Sequence, residues 1–260
     1  MEGMVCIILA AGKGKRMRQG EKSEQQKVLV EIKKKPMIGH VLELVSGLGI
    51  KRAIVVVGHQ AEIVEKYLEE WRNRITIHTV KQEKQLGTAD AVRRTEKFIS
   101  DFKGDVLVLY GDTPLLTGKT LKKLVARHRS QDNYCTLLTT LMKNPTGYGR
   151  IVRNGTSDAV AKIVEEVDAT SEEKLVKEVN VGVYCFKAKP LFEALKEVKP
   201  NNQKNEYYLT DTIAILSRRE WLVRSVLSED PHEVLGVNSP MELAKVRLVY
   251  NRYRSPKDAS

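Results

Sequence analysis

Short apolar runs alternate with segments of helical period along the first half of this chain. The runs predict buried strands over residues 5–10, 53–57, 75–80 and 106–110. The spacing of apolar residues predicts helices between them, over residues 37–48, 61–71 and 89–98. Strand, helix and strand in this order form a βαβ unit, and repeated units build a mostly parallel sheet with helices on both faces. We therefore expect an α/β protein, and 260 residues are enough to bury a substantial core.

The sequence changes character after about residue 135, where strand-like runs follow one another closely. These runs are CTLLTTLM, GRIVRN, AVAKIVEEV and VNVGVYCF. Because no linker rich in Pro, Gly or Ser separates them from the first half, they predict a largely antiparallel extension of the same sheet. The expectation is a single domain over residues 1–260, with a first part to about residue 134, a second part over about 135–238, and a C-terminal helix and tail over 239–260.

The charge balance is compatible with an anionic partner but does not identify one. The chain has 44 Lys and Arg against 33 Asp and Glu, a formal net charge of +11. The two signs are interspersed, as in EKYLEEWRNR, which is also typical of a solvated surface. Aromatic residues make up only 6% of the chain and no RNA-recognition motif occurs, so we expect no nucleic-acid partner.

Other classes of protein are disfavoured by what the chain lacks. Cys6, Cys135 and Cys185 lie far apart in apolar runs, which predicts buried, reduced thiols in a cytoplasmic protein. The apolar stretch at residues 4–11 is too short to cross a bilayer and no basic residue precedes it, so it predicts the first strand rather than a signal peptide, with no membrane partner. No histidine pair has metal-ligand spacing and no nucleophile-elbow pattern occurs, which leaves zinc chemistry and covalent acyl transfer unsupported.

Two glycines and three cations follow the first predicted strand directly, in CIILAAGKGKRM at residues 6–17. Ligands of open α/β sheets bind at the loops that leave the carboxyl ends of the parallel strands. Backbone N–H groups at Gly12 and Gly14 are accessible to an anion, while Lys13, Lys15 and Arg16 add positive charge. The spacing fits neither the dinucleotide fingerprint nor the P-loop pattern. The stretch predicts a phosphate-binding loop, and a turn with exposed basic residues is the alternative.

Asp112 follows the predicted strand 106–110 in the segment YGDTPLL. A carboxylate at this end of a buried strand is placed to hold a hard cation such as Mg²⁺, which bridges to substrate phosphates through one or two carboxylates. The alternative is an aspartate in a turn before Pro114 that caps the next helix. A strand-end aspartate and the phosphate loop would face the same crevice, and this favours the cation site.

A series of motifs resembles those of the sugar-1-phosphate nucleotidylyltransferases. The motifs, in chain order, are LAAGKGKRM with KVL, QLGTA, YGD, GYGRI, IVE, EVNVG, EYYLTD and GVN. They extend over about residues 5–250, and their order most resembles the uridylyltransferase domain of the bifunctional N-acetylglucosamine-1-phosphate uridylyltransferases.

The resemblance implies both a fold and a reaction. The fold is a Rossmann-like, mostly parallel mixed sheet flanked by helices, with an antiparallel sugar-binding extension. The first part of the chain would bind the nucleotide and the second part the sugar. The implied reaction transfers a uridylyl group from UTP to N-acetylglucosamine-1-phosphate with Mg²⁺ as cofactor, by in-line attack on the α-phosphorus and release of pyrophosphate. Because the attacking phosphate oxygen is already an anion, no general base is needed.

The resemblance also implies roles for individual residues. Arg16 and Lys27 would act in catalysis by holding the phosphates, and Asp112 and Asn238 would coordinate Mg²⁺. The residues implied to bind the uracil are Gln82, Gly87 and Thr88; those implied to bind the amino sugar are Gly149, Glu165 and Asn180; the other substrate-binding residues are Leu9, Ala10, Ala11, Gly12, Gly14, Tyr110 and Gly111. The simpler alternatives are that Gly87 only begins a helix and that Glu165 is only a surface carboxylate.

The chain departs from the family pattern at several positions. Lys15 follows Gly14 where Thr is usual, Gln26 precedes Lys27 where Pro is usual, and Asp90 stands where relatives often carry His. The loop over residues 18–26 looks a few residues longer than usual, and its Lys22 could compete with Lys27 for the phosphate role.

Two other functions remain open: nucleotidyl transfer to a different sugar-1-phosphate, and nucleotide-sugar binding by a non-catalytic regulatory subunit. The joint presence of Arg16, Lys27, Asp112 and Asn238 favours an active enzyme. The hexapeptide repeats of the acetyl-transferring β-helix found in the bifunctional relatives do not occur in these residues, so no acetyl transfer is expected. Oligomeric state, and whether the chain belongs to a longer protein, stay undetermined.

Overall fold

A computed structural model of the chain describes residues 1–18, 26–155 and 157–253, apart from the side chains of Lys15, Arg18 and Tyr253. The strands are β1 (Met4–Leu9), β2 (Glu31–Ile32), β3 (Lys35–Pro36), β4 (Arg52–Val57), β5 (Thr76–Lys81), β6 (Asp105–Tyr110), β7 (Cys135–Leu141), β8 (Arg150–Arg153), β9 (Val160–Val164), β10 (Glu178–Lys187) and β11 (Val223–Leu227). The helices are α1 (Met37–Gly47), α2 (Ala61–Leu68), α3 (Thr88–Arg93), α4 (Glu96–Ile99), α5 (Gly118–Ser130), α6 (Ser171–Lys174), α7 (Ala188–Glu197), α8 (Asp211–Arg218) and α9 (Pro240–Tyr253). Turns of 3₁₀ helix occupy Lys15–Arg18, Lys27–Leu29 and Glu69–Trp71.

One mixed sheet organises the molecule, with the strand order β11-β7-β10-β6-β1-β4-β5. Strands β6, β1, β4 and β5 are parallel, which confirms the βαβ pattern predicted from the first half. Strand β10 is antiparallel to both β6 and β7, and β8 and β9 pair antiparallel beside it. The expected antiparallel extension of the same sheet is therefore confirmed.

The core lies on both faces of the sheet because the central strands are apolar at successive positions. Ile7 and Ile8, which point to opposite faces of β1, are both fully buried. On one face the sheet packs against α1, α2 and α5, and on the other against α3, α4, α7 and α8. Two helical layers thus hold the parallel strands in place. The carboxyl ends of these strands lie along one edge of the sheet.

Two of the predicted helices end earlier than their apolar spacing indicates. The helix expected over 61–71 is α-helical only to Leu68 and tightens to a 3₁₀ turn at Glu69–Trp71. The helix expected over 89–98 is broken after Arg93, because Thr95 Oγ1 donates to the carbonyl oxygen of Val92 at 2.6 Å and its N–H bonds the same oxygen at 3.0 Å. The hydrogen bond from the Thr95 hydroxyl competes with the helical hydrogen-bond pattern, and a new helix, α4, begins at Glu96.

The second half also contains an element that the sequence pattern does not indicate. Strand β11 returns to pair in parallel with β7 at the edge of the sheet, with Ser225 opposite Leu137. Its sequence VRSVL alternates polar and apolar residues weakly over only five positions, which is too short for a clear strand signal. Strand β11 therefore forms the edge of the sheet beside β7.

The three cysteines lie where the sequence analysis expects them, buried as free thiols in β1, β7 and β10. Burial raises the pKa of each thiol above its ordinary value. Among the described residues, no helix has the length and apolar content needed to cross a bilayer.

Candidate active site

A cavity of about 540 Å³ opens at the carboxyl ends of the parallel strands and extends over β10. Most of the residues singled out from the sequence line it: Leu9, Ala10, Ala11, Gly12, Arg16, Lys27, Gln82, Gly87, Thr88, Tyr110, Asp112, Gly149, Glu165, Asn180 and Asn238. Gly14 and Gly111 are not among the lining residues; Gly14 lies against the side chain of Lys27 and Gly111 against that of Val28. The two halves of the chain therefore contribute to one site.

The loop after β1 begins where two neighbouring strands end. Gly111 N–H donates to the carbonyl oxygen of Leu9 at 3.0 Å, and Ala10 N–H donates to that of Val56 at 2.8 Å. The chain then turns at Gly14, whose φ of +60° favours glycine, and its carbonyl oxygen accepts from Met17 N–H at 2.9 Å. The turn places the exposed side chain of Arg16 at the cavity. Lys22 of the lengthened loop lies outside the described residues.

Gln26 anchors the short helical turn that carries Lys27. Its Oε1 accepts from Val28 N–H at 2.8 Å and caps the turn, while its Nε2 donates to the carbonyl oxygen of Ala10 at 3.4 Å. The buried glutamine thus ties the lysine turn to the end of β1, a link that a proline at this position could not make.

The side chain of Lys27 lies between the two residues implied to bind metal. Its Nζ forms an ion pair with Asp112 Oδ2 and donates to Asn238 Oδ1 at 3.0 Å. Two oxygens of the type that Mg²⁺ prefers therefore converge on one position, which a cationic group already occupies. The described residues contain no cluster of three or more His, Cys, Asp or Glu suited to a metal, so a cation here would take its remaining ligands from water and phosphate oxygens.

Asn238 reaches this position because of the way α9 begins. Glu242 Oε2 accepts from Asn238 N–H at 2.7 Å and from Ser239 Oγ at 3.0 Å, and Glu242 N–H donates back to Ser239 Oγ at 3.3 Å. With Pro240 in the first turn, this is a capping arrangement. Val237 N–H also donates to the carbonyl oxygen of Asp112 at 3.1 Å, which fixes the two segments side by side.

Gln82 and Gly87 lie at one end of the cavity. Gly87 has a φ of +115°, and a Cβ at this position would lie 2.4 Å from the carbonyl oxygen of Tyr207. Both the close approach of the Tyr207 backbone and the positive φ therefore require glycine at position 87. The nearly buried Gln82 donates from Nε2 to Gly87 O at 2.9 Å and to Asp90 Oδ2 at 2.8 Å. Thr88 Oγ1 accepts from Leu209 N–H at 2.9 Å and joins this end to the second half.

Gly149, Glu165 and Asn180 meet at the opposite end. The carbonyl oxygen of Gly149 accepts from Asn180 N–H at 2.8 Å, and a Cβ on Gly149 would lie 3.6 Å from Glu165 Oε1. Burial raises the pKa of the Glu165 carboxyl, against the lowering effect of the hydrogen bond that Thr210 donates at 2.9 Å. Glu165 is therefore a partly buried group that faces the cavity, rather than a surface carboxylate.

The amide of Asn180 explains how a polar residue fits inside β10. Its Nδ2 donates to the Tyr184 hydroxyl at 2.7 Å and its Oδ1 accepts from Gly182 N–H at 3.2 Å, where the strand register shifts. Gly182 has a φ of +83°, and a Cβ there would lie 2.7 Å from the ring of Tyr110. Burial raises the pKa of the Tyr110 hydroxyl, so this residue acts as a neutral wall between the two ends.

Several residues that line the cavity are not among the site residues predicted from the sequence. They are Gln85, Tyr148, Gly182, Glu206 and Glu242. Two of them carry a local signal. A glycine inside a strand indicates close approach of another group, which applies to Gly182. The spacing Ser239 to Glu242 is a helix-capping pattern. The other three lie within the motifs QLGTA, GYGRI and EYYLTD, but no local rule marks them as site residues, because their position depends on how distant segments pack.

The mixed sheet with helices on both faces is an α/β fold that this chain shares with solved sugar-nucleotide enzymes. The structure aligns with a UDP-glucose pyrophosphorylase complexed with UDP-glucose at a TM-score of 0.77 and 19% identity, over 96% of this chain and 98% of that one. It also aligns with a putative glucose-1-phosphate thymidylyltransferase from Bacillus anthracis at a TM-score of 0.76 and 20% identity, over 98% of each chain. These likenesses confirm the predicted fold.

The family follows from the sequence comparisons. The profile of the family described as nucleotidyl transferase matches residues 5–230, and the chain belongs to this family of enzymes. The chain is 44% identical to the bifunctional protein GlmU of Acetivibrio thermocellus over 97% of its length, and 45% identical to that of Carboxydothermus hydrogenoformans over its whole length. It spans about half of these relatives, 53% and 54% of their lengths.

Proposed function

We propose that this protein transfers a uridylyl group from UTP to N-acetylglucosamine-1-phosphate, forming UDP-N-acetylglucosamine and pyrophosphate. The observation that supports this most strongly is the common cavity, which Arg16, Lys27 and Asp112 share with Gln82 and Glu165. Identity of 44–45% to proteins named GlmU, across nearly the whole chain, supports the same substrates.

The chemistry needs positioning and charge neutralisation rather than a base. An oxygen of the sugar-1-phosphate attacks the α-phosphorus of UTP, the new P–O bond forms, and the bond to the β-phosphate oxygen breaks with its electron pair leaving on pyrophosphate. Arg16 and Lys27 offset the charge of the two anionic reactants and hold them in line. Asp112 and Asn238 would hold Mg²⁺, which supplies further neutralisation of the phosphoryl oxygens.

We assign one substrate to each of the two ends of the cavity. We place the uracil at Gln82, Gly87 and Thr88, where an amide and backbone groups offer hydrogen bonds. The amino sugar would lie against Gly149, Glu165 and Asn180, which offer a carboxylate and an amide to its hydroxyl and acetamido groups. We place the reaction in the cytoplasm, since the three cysteines are free thiols.

The test is pyrophosphate release from a matrix of four nucleoside triphosphates and several sugar-1-phosphates with Mg²⁺. We expect strong turnover with UTP and N-acetylglucosamine-1-phosphate, and a loss of about 10²-fold or more in Asp112→Asn. Asp158→Asn is the matched control, because it makes the same change at an exposed residue, which pairs with Arg127 at 2.8 Å outside the cavity.

Each outcome of the matrix decides between the open functions. Turnover with another pair of substrates would keep the mechanism and replace the substrates. No turnover with any pair, from a protein that still binds UTP, would indicate a non-catalytic regulatory subunit.

A further inference from the structure

The amide of Gln82 is held in one orientation by two acceptors. Its Nε2 donates to the carbonyl oxygen of Gly87 at 2.9 Å and to Oδ2 of Asp90 at 2.8 Å. A backbone carbonyl and a carboxylate accept hydrogen bonds but have no proton to donate, so both must face the NH₂ group. The flipped amide would place its oxygen against two acceptors and is excluded.

The fixed amide leaves Oε1 of Gln82 as an acceptor at the cavity. Gln82 is only 4% exposed and lines the cavity. No described residue donates to Oε1, and this oxygen is not sealed inside the protein. A nearly buried acceptor without a protein donor obtains its hydrogen bond from water or from a ligand that displaces it.

Asp90 is itself held in place by a cation. It lies in the first turn of α3 and is 8% exposed. Arg94, one turn further along the helix, donates from Nε to the same Oδ2 at 3.0 Å. Arg94, Asp90 and Gln82 therefore form one chain of hydrogen bonds from the helix surface to the cavity wall.

We propose that Asp90 is a positioning residue for base selection, which orients the Gln82 amide so that Oε1 accepts from the ring N–H of a uracil-type base. The proposal rests on the proposed function, because that function places the base at Gln82. Uracil carries a hydrogen on its ring N3, whereas the N3 of cytosine is a bare acceptor. A fixed acceptor in the protein therefore favours uracil, while an amide free to flip would offer its NH₂ to cytosine as well.

Asp90→Asn is the decisive substitution. The introduced amide is nearly the same size but can either accept or donate, so position 90 no longer opposes the flipped amide of Gln82 and only the Gly87 carbonyl oxygen does. Asp90→Glu keeps a group that only accepts. Glu193→Gln is the matched control, because it changes a carboxylate to an amide in a helical i,i+4 pair with Lys189 outside the cavity.

The measurement is kcat/KM for UTP and for CTP with N-acetylglucosamine-1-phosphate, together with calorimetric Kd values for both nucleotides. In Asp90→Asn we expect the ratio of kcat/KM for UTP to kcat/KM for CTP to fall about tenfold, mainly through a higher KM for UTP. A tenfold change corresponds to one hydrogen bond in a desolvated site. The ratio should stay within about threefold of wild type in Asp90→Glu and be unchanged in Glu193→Gln.

A merely structural role for Asp90 would lower activity with both nucleotides equally and leave the ratio unchanged, and that result overturns the proposal. An equal fall of the ratio in Asp90→Asn and Asp90→Glu overturns it too. Should Asp90→Asn fail to fold, Asp90→Ser puts a hydroxyl that can either accept or donate at the same position and must lower the same ratio.

Failure of the proposed function is distinguishable from failure of this inference. If wild type releases no pyrophosphate from UTP with any sugar phosphate, the proposed function fails while the calorimetric ratio still decides the role of Asp90. A preference for UTP over CTP that Asp90→Asn abolishes supports the role, and equal binding of both nucleotides by wild type overturns it.

Discussion

Replacing Lys27 with methionine tests whether its ammonium group occupies a cation position. The group pairs with Asp112 and lies 3.0 Å from Asn238 Oδ1. The side chains of Lys27 and Asp112 are only 11% and 12% exposed. Methionine keeps a long, flexible apolar side chain but removes the charge, so the carboxylate of Asp112 loses its cation.

The magnitude follows from this burial. Removing one partner of a fully buried ion pair costs about 3–5 kcal/mol. Because Asp112 borders an open cavity where water can solvate it, we expect a loss of about 2 kcal/mol in the free energy of unfolding without metal. In a chain of this size, that loss lowers Tm by about 4–8 °C.

Calorimetric melting in EDTA and with added Mg²⁺ measures both consequences. Mg²⁺ at about 100 times its Kd should stabilise Lys27→Met by about 2.7 kcal/mol, and wild type by less, because in wild type the ammonium group must first leave Asp112 and Asn238. Turnover of the variant should fall about 10²-fold, since Lys27 no longer offsets phosphate charge and only Arg16 and Mg²⁺ do. Lys35→Met is the control: it breaks an exposed pair with Glu43, 2.6 Å apart, and should change stability by less than about 1 kcal/mol.

Two results would refute the reasoning. One is equal melting of Lys27→Met and wild type in EDTA, which would mean that the pair does not stabilise the fold. The other is an Mg²⁺ shift no larger in the variant than in wild type, which would mean that the ammonium group and the metal do not share a position.

Three further changes test other parts of the site. Gly87→Ala should lower the free energy of unfolding by about 2 kcal/mol or more and abolish UTP binding, because its Cβ would lie 2.4 Å from the backbone of Tyr207. Urea unfolding measures the loss of stability. Gly47→Ala is the control and should be neutral or mildly stabilising, because a Cβ there meets nothing within 4 Å. Glu165→Gln should raise KM for the sugar phosphate about tenfold or more and leave KM for UTP unchanged, and equal effects on both would contradict the assignment of the two ends. Burial, with the nearby Glu165 charge, raises the pKa of Asp211 from 3.8 to about 6. The protonated carboxyl of Asp211 therefore contributes stability below about pH 4, and this contribution is lost as the pH rises to about 6. After a discount for the partial exposure of the carboxyl, Asp211→Asn should be more stable than wild type by about 1 kcal/mol at pH 8. At pH 4 the two proteins should be equally stable.

Much of the fold could be predicted because its signals are local. Continuous apolar runs and helical spacing identify βαβ units from neighbouring residues alone, and the parallel strands β1, β4, β5 and β6 follow from them. The helix break at Thr95 could not be read in this way, since apolar spacing does not show which hydroxyl bonds to which carbonyl oxygen. The pairing of β11 with β7 also lacked a local signal, because five residues of weak alternation fit an edge strand and a loop equally well.

The candidate site divides in the same way. The glycine and cation loop at Gly12 and Arg16, and an aspartate at the end of a buried strand, are features of short segments, and the rule that ligands bind at strand ends directs them to one edge. The sequence by itself therefore determined the fold class and the edge of the sheet, and it predicts an anionic ligand there.

Only the tertiary structure decided which distant groups meet there. Asn238 comes beside Asp112 and Lys27 through a hydrogen bond between backbone segments and the capped start of α9, and no spacing in the sequence encodes that contact. The orientation of Gln82 depends likewise on the bend that brings Asp90 back against it. Local patterns set the elements, but side-chain contacts between elements depend on how the whole sheet and its helices pack, which is a property of the complete chain.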